Sequence, residues 1–213
     1  MLEITAEDLL NAYINGIFPM AETDGTIYWY SPDPRAVIPI PTYKPSKSLR
    51  PVINKNVFEV RIDCDFEGVM RGCAEPRSSE EGTWISEEII AAYTELYELG
   101  YAHSVEAYRN NKLVGGLYGV TISGAFFGES MFSRESNASK VAFHYLIQIL
   151  KENNFDLLDT QFINDNVRRY GAIEIPRDEY LKQLKVALKT KRRFLARFLS
   201  NSYADVNKPI SFN

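Results

Sequence analysis

Histidine and cysteine are scarce. The 213 residues hold two of each, His103 and His144, Cys64 and Cys73. Two cysteines make no disulfide framework, and no CxxC pair is present to bind zinc. The histidines lie far apart and neither has a second ligand at helical spacing, so no metal centre and no cofactor are expected. No apolar run approaches the roughly 18 residues a membrane helix needs. The first residues, Met1-Leu2-Glu3-Ile4-Thr5, carry no basic segment and no small-residue cleavage site. A secretory signal is therefore not expected, and the cytoplasm is the default location. The P-loop, the GxSxG elbow and HExxH are missing, as are repeats and low-complexity tracts.

What is present reads as a globular protein. Hydrophobic residues make up 45% and charged residues 24%, the balance of a packed domain and not of a disordered chain. Aromatics reach 13%, enough to line a large apolar pocket. The net charge of −4 argues against a surface that binds nucleic acid all over. The charge is unevenly placed, however. Lys182, Lys185, Lys189, Lys191, Arg192, Arg193 and Arg197 follow one another with no acid between them, and Lys182, Lys185 and Lys189 share one side of a predicted helix. Such a face binds phosphates locally, or is simply a solvated helix and tail.

The pattern along the chain alternates helices with strands. Thr5 with Asp8 three residues on opens a helix that Gly16 ends. Tyr28-Trp29-Tyr30 leads into Ser31-Pro32-Asp33-Pro34, a turn-like stretch that is the best candidate for a junction. Val57 to Ile62 alternates as a strand. Ser86 caps a helix with Glu87 and Glu88 in its first turn. Ala102 to Tyr108, Lys112 to Ile122 and Ala125 to Phe132 read as a meander turned at Asn110-Asn111 and Ser123-Gly124. A helix with Val141, Ala142, Tyr145, Leu146, Ile149 and Leu150 on one face follows, then a strand from Phe155 to Phe162 and a helix from Glu179 to Leu188. This order predicts an α+β fold, a mixed sheet flanked by helices.

Three stretches carry candidate chemistry. In Gly82-Thr83-Trp84-Ile85 the indole stands at a loop-to-helix junction, as a stacking plate for a base or as a core anchor. In Leu113 to Val120, three glycines interrupt a strand, which favours close approach of a ligand or of another backbone. The strand that follows places Glu129 among aromatics, and a buried carboxylate needs a donor or a cation. Phe126 and Glu129 face the same way only if a bulge at Gly128 intervenes. In Asp159-Thr160-Gln161 the acid and the amide share a face, able to orient and deprotonate an amine, or merely to end a strand.

Taken in order, these blocks resemble the leucyl/phenylalanyl-tRNA–protein transferase family. The matching residues are Trp29 to Val37, Glu81 to Ile85, Ala102 to Glu106, Leu113 to Val120, Gly128 to Arg134 with Asn137 to Lys140, and Asp159 to Gln161. The resemblance implies an aminoacyltransferase that moves leucine or phenylalanine from Leu-tRNA or Phe-tRNA to the N-terminal α-amino group of proteins beginning with arginine or lysine. The product is an N-degron. It implies a GNAT-like catalytic domain (37–213) behind a small N-terminal domain (1–36), truncated because a leading segment common in the family is missing. A monomer with no membrane attachment is expected.

The resemblance also implies residue roles. Asp159 acts through Gln161 to draw a proton from the acceptor amine, and Glu129 binds the acceptor end. Leu117, Phe126, Leu146, Leu150 and Leu158 line the pocket for the transferred side chain. Trp84 stacks near the terminal adenosine, and Asn164 matches a site position. Lys182, Lys185, Lys189, Arg192 and Arg193 are expected to hold tRNA phosphates. Two departures touch the site. Met20 stands where the family usually has a second tryptophan, and Asn166 to Ala172 lacks the usual histidine and Ser-Leu-Gly-Ala ending. Two other readings compete with this one. A GNAT-type acyl-CoA N-acyltransferase would need a glycine-rich loop feeding a helix, whereas Gly115, Gly116 and Gly119 lie within a strand. A non-catalytic N-degron or tRNA-binding relative would have no need of an intact Asp159 and Gln161.

Overall fold

The computed structural model describes residues 4–22, 26–76 and 85–196. Helix α1 (Ala6–Ile14) is opened by the capping box that the sequence predicts. The Asp8 amide donates to Thr5 Oγ1 and the Thr5 amide to Asp8 Oδ2, both at 3.1 Å. Gly16 leaves the helix at φ +75°. Strands β1 (Phe18–Ala21) and β2 (Ile27–Tyr30) form a separate antiparallel ribbon. The chain then runs through β3 (Arg35–Val37), α2 (Arg50–Asn54), β4 (Glu59–Ile62), α3 (Phe66–Ala74) and α4 (Glu87–Glu98). The meander is β5 (Ala102–Arg109), β6 (Lys112–Ile122) and β7 (Ala125–Ser133). The last elements are α5 (Ala138–Glu152), β8 (Leu157–Gln161), α6 (Asp165–Arg169), β9 (Ile173–Ile175) and α7 (Arg177–Ala187).

Seven strands make one mixed sheet in the order β4-β5-β6-β7-β8-β3-β9. Every neighbouring pair is antiparallel except β7 and β8. The α+β expectation therefore holds. Asn110 and Asn111 both take positive φ, 51° and 59°, which a two-residue hairpin turn of the primed type requires and asparagine tolerates. Helix α5 covers one face of the sheet, over Val105, Leu117, Phe126 and Leu158. Helices α1, α3 and α4 cover the other, over Tyr118, Val120 and Phe127.

Helix α3 is absent from the sequence reading. Its Gly68 and Gly72 lower helix propensity by about 1 kcal/mol each relative to alanine. Tertiary contacts reverse that. Asp65 caps the helix by accepting from the Gly68 amide at 3.0 Å. At Gly72 a Cβ would stand 2.8 Å from the Phe132 ring, so glycine is what allows α3 to lie against β7. Strands β4 and β8 are shorter than the predicted segments, beginning at Glu59 and Leu157.

Candidate active site

The sheet opens where its one parallel pair ends. Strands β7 and β8 are in register for three residues, from Ala125 opposite Leu157 to Phe127 opposite Asp159, and then separate. On the other side of β7 the register slips. Gly119 faces Gly128, and Tyr118 faces Ser130, so Glu129 is an extra residue without a cross-strand partner. This is the bulge that brings Glu129 and Phe126 to one cavity. The cavity has a volume of about 490 Å³. Its walls are Leu117, Phe126, Met131, Phe143, Leu146 and Leu158, and its polar groups include Glu129, Thr160, Gln161 and Asn164. Met20, Phe162, Asp165, Asn166 and Val167 also border it.

Two carboxylates lie at the base of this opening in unlike surroundings. Asp159 has no exposed surface. Arg35 grips it with both prongs, Nε to Oδ1 at 2.9 Å and Nη2 to Oδ2 at 2.6 Å. The Tyr180 hydroxyl donates to Oδ2 at 2.7 Å, and the Gln161 backbone amide donates to Oδ1 at 2.8 Å. Arg35 is itself 1% exposed, donates to the Gly16 carbonyl, and lies over the rings of Phe18 and Tyr180. It ties α1, β1, β8 and α7 to one point.

Glu129 faces the cavity. Its Oε1 accepts from the Tyr13 hydroxyl at 2.7 Å and from Gln161 Nε2 at 2.8 Å, and its Oε2 from the Tyr93 hydroxyl at 3.2 Å. The hydroxyls of Tyr13 and Tyr93 also bond to each other. Burial raises the Glu129 carboxyl from the usual range to about 7, against the lowering effect of these hydrogen bonds; the charge of Asp159 adds to the rise. Burial raises both tyrosines well above their ordinary value, so they stay protonated as donors.

A raised folded-state value makes ionised Glu129 a destabilising group. The stabilising contribution of the protonated carboxyl is fully present below the unfolded value of 4.5 and is lost as pH rises through about 7. Moving from pH 5 to pH 8 should lower the unfolding free energy by on the order of 3 kcal/mol from this group. The check is chemical denaturation across that range, in which Glu129→Gln should remove this part of the slope. An unchanged slope would mean that Glu129 is not the group responsible.

The structure gathers most of the site residues expected from the sequence and leaves some outside. Leu117, Phe126, Leu146, Leu158, Asn164 and Met20 border the cavity. Leu150 is fully buried one helical turn beyond Leu146 and is not among the lining residues. Asn164 also caps α6, its Oδ1 accepting from the amides of Asn166 and Val167. Gln161 departs from plain strand alternation. Its φ is +66°, and its side-chain amide turns to Glu129 while its backbone amide meets Asp159. Trp84 and Arg197 lie outside the described residues.

Of the basic residues, Lys182 and Lys185 are exposed on α7, and Lys182 pairs with Asp178 at 3.4 Å. The helix stops at Ala187, so Lys189 lies past its end, and the one-sided stripe of lysines is shorter than the sequence implies. Arg192 reaches Asp156 at 3.8 Å, and Arg193 is exposed. Tyr13, Tyr93, Arg35 and Tyr180 have no role in the sequence reading. Arg35 sits inside the Trp29 to Val37 motif, which was its only signal. Tyr13 and Tyr93 look like core residues at helical spacing, and only the packing of α1 on α4 brings their hydroxyls to Glu129, while Tyr180 reaches Asp159 from α7.

Comparison with known proteins decides the family. The model of the leucyl/phenylalanyl-tRNA protein transferase family matches residues 37–185, and that of its N-terminal domain matches residues 3–33. The chain belongs to this family. Among transferases of that name, the one from Prosthecochloris aestuarii is 50% identical over 90% of this chain and 100% of its own length. The transferase of Chlorobium phaeobacteroides is 51% identical with the same coverage, and that of Gloeobacter violaceus 51% identical over 91% of this chain and 99% of its own. A solved structure, L-PGS from Bacillus licheniformis, aligns with a TM-score of 0.40 at 14% identity, over 78% of this chain and 56% of that one. Likeness at that level supports no conclusion about this transferase.

Proposed function

We propose that this transferase moves leucine or phenylalanine from aminoacyl-tRNA to the N-terminal α-amino group of proteins that begin with arginine or lysine. The observation that carries this reading is the cavity, whose apolar walls end on Glu129 and Gln161. Its volume of about 490 Å³ leaves room for an apolar side chain such as a benzyl or an isobutyl group. Glu129 and Gln161 offer acceptors where an ammonium or amine would arrive. The donor ester is already activated, and an α-amino group of pKa about 7.7–8.0 is partly neutral at pH 7. The chain need only align the two, take up a proton and exclude water.

Finer expectations belong to the same reading. They are a GNAT-like arrangement of the splayed sheet, a division of the chain at residue 36, and action as a monomer in the cytoplasm. Met20, on the border of the cavity, meets the terminal adenosine. Lys185, Lys189 and Arg193, exposed near the end of α7, meet acceptor-stem phosphates.

The test is transfer of labelled leucine from leucyl-tRNA to a peptide with N-terminal arginine, with valyl-tRNA and an acetyl thioester as rival donors. Leucine and phenylalanine should both transfer, and valine far more slowly. Transfer from the thioester alone would refute the assignment. With leucyl-tRNA, the double variant Lys185→Ala/Lys189→Ala should weaken binding and reduce the salt slope by somewhat under one unit per lost phosphate contact. An unchanged KM and slope would place the tRNA body elsewhere.

A further inference from the structure

The two carboxylates beside the cavity are not equally placed to serve the reaction. Asp159 is sealed from it, with both oxygens taken by Arg35, Tyr180 and the Gln161 amide, and it is not among the residues that border the cavity. Anything reaching Asp159 would have to displace a buried guanidinium. Glu129 borders the cavity directly, and its Oε2 holds a single bond, to Tyr93 at 3.2 Å. That oxygen has a free lone-pair direction. Gln161, having given Nε2 to Glu129, keeps its carbonyl oxygen for a second N–H.

We propose that Glu129, in place of Asp159, accepts the proton that the attacking amine loses. This rests on the transfer reaction proposed above. The neutral α-amino nitrogen attacks the ester carbonyl carbon, and the carbon–nitrogen bond forms. One N–H proton passes to Glu129 Oε2. The bond from the carbonyl carbon to the ribose oxygen breaks, and that oxygen leaves with the proton returned by Glu129. The carboxylate is regenerated, and no other reactant is consumed. Asp159 and Arg35 then act as positioning residues, fixing Gln161 in its left-handed conformation through its backbone amide.

The groups around Glu129 suit a proton that comes and goes. Tyr13 from α1 and Tyr93 from α4 donate to it, and Tyr118 of β6 lies near without bonding it. Behind Gln161 stand the Asp159 carboxylate and the Arg35 guanidinium. With a value of about 7, the carboxyl is matched to an amine titrating just above neutrality, the condition for efficient general-base transfer.

The experiment is single-turnover transfer from leucyl-tRNA to the arginine peptide between pH 5.5 and 9, with aminoacyl-tRNA affinity measured separately. Glu129→Gln should lower the rate by roughly 10²–10⁴-fold with tRNA affinity within a few-fold of wild type. Tyr13→Phe keeps the acceptor but removes a hydrogen bond that holds its value down. Its rate profile, compared with wild type on the same peptide so that the amine's own titration cancels, should shift to higher pH. A Glu129→Gln rate within threefold of wild type, or an unshifted Tyr13→Phe profile, overturns the proposal. Failure of the wild-type protein to transfer at all would instead overturn the proposed function, which keeps the two outcomes apart.

Discussion

Asp159→Asn should lower the unfolding free energy by about 3–5 kcal/mol, the usual cost of removing one partner from a buried ion pair. The asparagine keeps the shape of the side chain but leaves the Arg35 guanidinium charged, 1% exposed and unpaired. It also turns an amide either toward Nη2 and the Tyr180 hydroxyl, which donate to Oδ2, or toward Nε and the Gln161 amide, which donate to Oδ1, so that donors meet. Ordinary point substitutions cost 0.5–3 kcal/mol, so this one stands out. The damage should reach α1, β1 and α7 together, because Arg35 joins all three to β8. Replacing both partners by apolar residues, Arg35→Met with Asp159→Leu, should recover a large part of the loss, since neither charge is then left alone. Urea denaturation of the two single variants and the double variant makes the comparison. Additive losses would mean that the pair is not coupled. Activity lost in Asp159→Asn therefore has to be measured on protein shown to be folded.

Leu146→Trp should cut kcat/KM for leucyl-tRNA by at least about 100-fold while leaving the fold intact. Leu146 sits on α5, is 2% exposed and borders the cavity. An indole at this position occupies the volume proposed for the transferred side chain. Apolar pockets discriminate by about 1–3 kcal/mol per methylene-scale change, and the indole removes space for several. Because it enters an open volume, it escapes most of the 1–3 kcal/mol that overpacking a filled core costs. Leu150→Trp is the contrast. One turn along, in the filled core, it should bear that overpacking cost. Thermal denaturation and transfer assays on both variants separate the effects. Wild-type leucine transfer by Leu146→Trp would sink the assignment of the cavity to the aminoacyl side chain.

The motifs drew attention to strands that border the cavity and misjudged how their side chains turn. Asp159 and Gln161, two apart, read as neighbours on one face. A positive φ at Gln161 sends its side chain to Glu129, and nothing in the residue types announces that. Gly128 made a bulge thinkable, but only the slip between β6 and β7 establishes it. Lys182, Lys185 and Lys189 read as one helical side, whereas α7 ends before Lys189. Helix α3 went unseen because its glycines argue against a helix locally, while Phe132 requires one of them.

By itself the sequence determined the local features. The capping box at Thr5, the turn at Asn110-Asn111, the amphipathic faces of α4 and α5 and the α+β order all follow from interactions within a few residues, which composition and spacing record directly. Its six motif blocks in order also pointed to the family that the comparisons establish. The tertiary structure alone decided which carboxylate faces the cavity. Arg35 reaches Asp159 across 124 positions, and Tyr13 reaches Glu129 across 116. A carboxylate's chemistry is set by the donors and the water around it. Those come from elements that meet only when β3 pairs with β8 and α1 packs on α4, so two acids that look alike in the sequence become a sealed anchor and an open acceptor in the fold.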